Sequence, residues 1–138
     1  MDVNLWAVLA ATVAQFAVAA FWYTALFGKK WGEMFEFDKL PKKKQKEMQA
    51  QMGPYYLVQA LVTFLTSYVL AHFIGVFSDV SFWQIAFWTW LGFAMPTQVS
   101  AVIFGGVEPK WIPTRIGIMA GGSLVSLMVG AWMISLIA

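Results

Sequence analysis

The sequence predicts an all-α membrane protein in which four transmembrane helices form two tandem hairpin repeats of the same orientation. Three observations carry that reading: the composition, four long runs free of charge, and the confinement of basic residues to alternate loops. Of 138 residues, 60% are apolar, 17% aromatic and only 12% charged, against about 25% charged in soluble domains. Mean hydropathy is +0.67, so bilayer is the solvent that suits the chain. The length fits one domain, residues 1–138. Cysteine is absent, which excludes disulfides, thiolate metal sites and iron–sulfur clusters.

The helices are predicted at about residues 3–27, 55–77, 82–104 and 114–137. None of the first three contains Lys, Arg, Asp or Glu, and the fourth is free of them from Ile116 to Ile137. Each run reaches the roughly 20 residues that cross about 30 Å of hydrocarbon at 1.5 Å per residue. In lipid the backbone must satisfy its own hydrogen bonds, and runs this long are not the short alternating strands of a barrel. The first run has no basic residue before it and exceeds the roughly 7–15 residues of a signal-peptide core, so it is expected to be retained. It is expected to stop at FGKKW, with Gly28 ending the helix and Lys29 and Lys30 reaching headgroup phosphates. The loop 28–54 then carries LPKKKQKEMQAQMG. Pro41 suits a first helical turn and Gly53-Pro54 a stop, which predicts a short basic helix over 41–52 bearing Met48 and Met52.

The basic residues are Lys29, Lys30, Lys39, Lys42, Lys43, Lys44, Lys46, Lys110 and Arg115. They fall between the first and second helices or around the start of the fourth; the N-terminal tip, the second loop and the C-terminus have none. Short loops rich in Lys and Arg stay inside, which predicts a multi-pass protein of the cytoplasmic (inner) membrane with both termini outside. Aromatic residues agree: Trp22, Tyr23, Trp31, Tyr55, Tyr56 and Trp111 would form the inner belt, and Trp6, Trp83 and Trp132 the outer.

An offset of 77 residues aligns DVNLWAVLAATVAQFAVAAFWYTALFG with DVSFWQIAFWTWLGFAMPTQVSAVIFG without a gap. The identical pairs are Asp2/Asp79, Val3/Val80, Trp6/Trp83, Thr12/Thr89, Phe16/Phe93, Ala17/Ala94, Phe27/Phe104 and Gly28/Gly105. A weaker match at offset 59 pairs Pro54/Pro113, Leu65/Leu124 and Ser67/Ser126. Both point to two hairpins related by an axis along the membrane normal.

The fourth helix offers Gly117 and Gly121 at GxxxG spacing, with Gly122, Ser126 and Gly130 as a second row of small residues. Lipid tails give no hydrophobic drive between helices, so close approach of such faces supplies association. The alanine-rich first helix, with Ala7, Ala10, Ala11, Ala14 and Ala17, is the expected neighbour, and a homo-oligomer is the functional reading of the same face. Intramembrane Gln15, Gln59, Thr63, Thr66, Ser67, Gln98 and Ser126 form a candidate polar cavity. Gln15, Ser67 and Ser126 lie near mid-depth, and Gln59, Thr63 and Thr66 form a stripe expected to face Gln98, where Pro96 could bend the third helix. Interhelical hydrogen bonding is the plainer role for these groups. His72, the single histidine, is a candidate interface residue near the outer surface.

No intramembrane carboxylate, histidine pair, metal-ligand cluster, nucleophile–base motif or glycine-rich phosphate loop is present, so neither an enzyme nor a bound cofactor or metal is expected. Nucleic-acid binding has only the KKK run behind it, which topology explains. FWYTALFGKKW, SYVLAHFIG and WTWLGFAMPTQVSAVIFGG, followed by a small-residue final helix, resemble the prokaryotic membrane proteins grouped as domain of unknown function 1761. The resemblance spans nearly the whole chain and implies four membrane helices without an established activity. That family commonly has an acidic residue directly after the LF or IF closing the third helix; here Gly105 follows Phe104 and the acid comes at Glu108. The leading expectation is a homo-oligomer that forms a pathway or pocket for a small solute. The alternative is a non-transporting accessory protein whose Lys29, Lys30, Lys42, Lys43, Lys44 and Lys46 dock anionic lipid or a cytoplasmic partner.

Overall fold

The computed structural model describes residues 3–138, so Asp2 of the sequence repeat lies outside the described residues. Those residues are helical with connecting turns: α1 Leu5–Phe21, α2 Gly28–Met34, α3 Lys42–Gln51, α4 Gly53–Val76, α5 Phe82–Thr89, α6 Met95–Ile103 and α7 Ile112–Ile137. A π-helical turn, Trp22–Leu26, extends α1, and another, Trp90–Ala94, joins α5 to α6. Asn4 starts α1 by accepting from the amides of Trp6 and Ala7 at 3.0 and 3.4 Å, and Ser81 starts α5 by accepting from Gln84 at 3.3 Å. Each cap satisfies amide donors that no preceding turn can reach.

Three segments are long and apolar enough to cross a membrane: Leu5–Leu26, Gly53–Val76 and Pro109–Ile137. The fourth apolar run is helical from Phe82 to Ile103, but Trp83, Trp88, Trp90, Gln84, Gln98 and Pro96 dilute its apolar character. The two π-helical turns have different origins. Pro96 has no amide hydrogen for the carbonyl of Gly92, and the irregular turn lies directly ahead of it, as a proline in a helix demands. In α1 the turn closes with Phe27 N donating to Trp22 O at 2.9 Å. The helix therefore breaks at Phe27 rather than at Gly28, which instead begins α2, a seven-residue helix carrying Lys29 and Lys30 on its exposed side. Gly53-Pro54 is likewise a start rather than a stop: only Met52 separates α3 from α4, and Pro54 occupies the first turn of α4, where a missing N–H costs nothing.

α7 is the central helix, packed most extensively on α1 and also against α4, α5 and α6, while α4 leans on α1. Small residues supply much of the helix contact, beside larger ones such as Val8, Val102 and Ile134, and many large apolar side chains face outward. Ala7, Ala11, Ala120, Gly122, Gly130 and Ala131 are buried, whereas Trp6, Val13, Leu61, Leu65 and Phe93 are exposed. Small residues at the contacts and large apolar side chains facing outward suit helices whose outer solvent is hydrocarbon. One end of the bundle holds a compact apolar cluster of Ala11, Leu70, Ile85, Ala86, Ala131 and Ile134. The opposite end carries α2, α3 and the 105–111 loop, and with them the lysines.

Candidate functional site

Polar groups cross the bundle in layers, each held by α7 or by the α1–α4 contact. In the middle layer Gln15 of α1 (4% exposed) and Ser67 of α4 (fully buried) meet, the Gln15 amide nitrogen donating to the Ser67 hydroxyl at 2.6 Å and to Ala11 O at 3.2 Å. The Ser67 hydroxyl in turn donates to Thr63 O at 3.0 Å. A side chain added at Gly130 would stand 2.6 Å from Nε2 of Gln15, so the glycine is what lets the amide lie flat between the helices. Ser126, one turn earlier on α7, is half-buried.

The next layer belongs to two tryptophans that open the two π-helical turns. Trp22 Nε1 donates to Ile118 O at 2.8 Å, and Trp90 Nε1 donates to Ala120 O at 2.9 Å and contacts Ser123 Oγ at 3.0 Å. The Ser123 hydroxyl in turn donates to Gln98 Oε1 at 2.8 Å. Gly121 and Gly122 make room for the Trp22 indole: added Cβ atoms would lie 3.1 Å from its Cζ2 and 2.9 Å from its Cδ1 and Nε1 respectively. Gly117 meets nothing within 4 Å. The Gly117–Gly121 spacing therefore does not mark a helix–helix contact within the chain. The small-residue row on α7 receives an indole and an amide rather than a second backbone.

Of the candidate polar cavity, Gln15, Thr63 and Ser67 come together, Gln59 touches that group only through Thr63, and Thr66 and Gln98 lie apart from it. Gln59 is exposed on α4, reaching only Thr63 Oγ1 at 3.3 Å, and Thr66 is exposed, its hydroxyl turned back to Val62 O at 3.1 Å. The expected stripe facing Gln98 is thus absent, because Gln98 sits on α6 against α7 and is taken by Ser123. His72 is half-buried and packs edge-on against Tyr68, ring centroids 4.7 Å apart. Among the described residues, no three His, Asp or Glu side chains gather at metal-binding range.

The lysine-bearing end has a different character. Lys42, Lys43, Lys44 and Lys46 are all exposed on α3, as are Met48 and Met52 beside them. α3 is fixed by the Gln45 amide, which donates to Phe37 O at 3.0 Å and Leu40 O at 3.1 Å. Next to it, hollows of about 300 and 210 Å³ open between residues 33–39 and the 105–111 loop. Arg115, in the first turn of α7, lines the larger one, with its guanidinium 5.0 Å from the Phe35 ring and 5.8 Å from that of Trp31. Trp31 also packs edge-on against Tyr23 at 4.8 Å.

Sequence reasoning placed Trp22 and Trp31 in a belt facing headgroups. It had no signal for the indole bonds to α7, because the partners are backbone carbonyls, which leave no trace in residue identity. Arg115 did carry a signal: it is the one charged residue inside the four predicted helical spans, two residues after Pro113.

Over residues 6–137 the chain matches the family described as Protein of unknown function (DUF1761). No curated protein and no solved structure matches it.

Proposed function

The chain belongs to the DUF1761 family, and on that premise, which brings no assigned activity, we propose a four-span inner-membrane protein whose inner end docks on anionic lipid. The observation that carries the docking reading is α3. Its four lysines and Met48 project from a helix that buries none of its residues and is anchored through Gln45. Lysine heads in the phosphate layer with methionine side chains just below it suit a negatively charged surface, at about 1 kcal/mol per basic residue. The alternative, a homo-oligomeric path or pocket for a small solute, needs polar groups free to line it. Gln15 is instead engaged with Ser67, and Gln98 with Ser123, which favours docking.

Two like-oriented hairpins with both ends of the chain outside complete the proposal. At the 77-residue offset Asn4 falls opposite Ser81, and both cap helices. Thr12 falls opposite Thr89, and their hydroxyls return to Val8 O at 2.7 Å and Ile85 O at 2.8 Å, themselves a matched pair. The π-helical turns fall out of step, at 22–26 and 90–94, so local irregularity is not part of the repeat.

Topology is read by cysteine labelling in a chain that has none of its own. In intact cells, Ser78→Cys reacts with an impermeant maleimide and Lys43→Cys reacts only after permeabilisation; the reverse pattern rules out this orientation. For docking, Lys42→Gln/Lys43→Gln/Lys44→Gln is expected to reduce co-purified phosphatidylglycerol severalfold, while proteoliposomes of the unaltered protein show no solute flux above empty vesicles. Flux with unchanged lipid content would transfer support to the solute pathway.

A further inference from the structure

Arg115 is half-buried at the start of α7, and among the described residues no carboxylate lies within ion-pair distance of it. Among the described residues the ion pairs are Lys39–Glu36 at 3.6 Å and Lys110–Glu108 at 3.8 Å, and neither includes it. Its Nε is buried without a hydrogen-bond partner, and the ring faces of Phe35 and Trp31 are what flank the guanidinium. Aromatic faces hold such a group in place and leave its donors unused. A half-buried cation without a directly paired anion is costly, and a planar fork of donors is the protein's best match to phosphate oxygens.

The same hollow of about 300 Å³ is lined by Glu36 and Glu108 and by Gly105, Gly106 and Val107. Both carboxylates are mostly exposed and their lysine pairs are long, so these pairs are weak and readily exchanged. Phe104, next to Gly105 in the chain, is 85% exposed, an apolar side chain beside the loop that lines the hollow. A cation and two acids around one hollow, with an exposed phenylalanine beside its loop, suit a ligand carrying a phosphate, a cationic nitrogen and acyl chains.

We propose that this hollow binds the headgroup of an aminophospholipid of the phosphatidylethanolamine class, its phosphate on Arg115 and its primary ammonium between Glu36 and Glu108. A net-anionic headgroup would meet the two acids unfavourably. A quaternary ammonium has no N–H to give them, and the aromatic faces that would otherwise attract it are already covered by Arg115. The site is separate from the α3 lysines, which respond to net charge and cannot distinguish one zwitterionic lipid from another.

The test is native mass spectrometry of the full chain in detergent with added phosphatidylethanolamine, phosphatidylcholine or phosphatidylglycerol. The intact protein should retain phosphatidylethanolamine at least tenfold over phosphatidylcholine, and Arg115→Gln should abolish that preference. Equal retention of the two zwitterionic lipids, or a preference that survives Arg115→Gln, overturns the proposal. If Arg115→Gln does not yield monodisperse protein, Glu36→Gln/Glu108→Gln, at two exposed positions, carries the test: retention should shift from phosphatidylethanolamine towards phosphatidylglycerol, and an unshifted ratio is equally fatal. Soluble phosphoethanolamine binding as tightly as the lipid would also overturn the assignment to lipid.

Discussion

Gly122→Leu is expected to be the most damaging single change in the α1–α7 contact, lowering stability by about 3 kcal/mol. The first atom of any side chain there would stand 2.9 Å from Cδ1 and Nε1 of Trp22. The indole has no easy retreat, because its N–H is bonded to Ile118 O at 2.8 Å and its backbone is committed to the π-helical turn. The clash would therefore both strain packing and break an interhelical bond, the latter worth about 1 kcal/mol. Detergent-unfolding curves of Gly122→Leu and Gly117→Leu form the comparison. Substitution at Gly117, where nothing lies within 4 Å, should change stability by no more than about 0.5 kcal/mol. Replacing Trp22 with Ala should remove most of the cost at Gly122. Equal losses at both glycines would restore the GxxxG reading, and a loss at Gly117 that depends on protein concentration would mark a face between copies of the chain.

Gly130→Leu should be nearly as harmful, by about 2–3 kcal/mol, through a different neighbour. Here the side chain would enter the amide of Gln15, 2.6 Å from Nε2 and 2.8 Å from Cδ, and force it off Ser67 in the dry middle of the bundle. An unsatisfied amide at that depth has no water to turn to. The discriminating measurement is a double-mutant cycle. Gln15→Ala alone should cost about 1 kcal/mol, since Ser67 still donates to Thr63 O, and the pair Gln15→Ala/Gly130→Leu should be more stable than Gly130→Leu alone, with coupling of about 1–2 kcal/mol. Strictly additive losses would mean that Gly130 acts through something other than Gln15.

The residues just named show how far the sequence reaches. That α1 and α7 would pair through small residues was legible, because helices in lipid associate where backbones can approach closely. That Gln15 and Ser67 would lie at one depth followed from the rise of 1.5 Å per residue, and they do meet. What the small residues receive was not legible. Periodicity reports which face is small, and it says nothing about whether the gap takes another backbone, an indole or an amide. Gln98 illustrates the same limit, since depth alone could not choose between Gln59 on α4 and Ser123 on α7. Hydropathy also registered the start and end of each apolar run better than the breaks inside it. The turns at Trp22–Leu26 and Trp90–Ala94 change hydrogen-bond connectivity without changing composition.

By itself, then, the sequence determined the solvent, the helical state and the segregation of lysines to one end. Those follow from transfer free energies and backbone hydrogen bonding, which act residue by residue along the chain. Only the tertiary structure decided that α7 is the central helix, that two tryptophans are tied to its carbonyls, and that Arg115 shares a hollow with Glu36 and Glu108. Those are matters of which side chains converge across distant segments, and convergence is set by the packing of whole helices rather than by any local pattern.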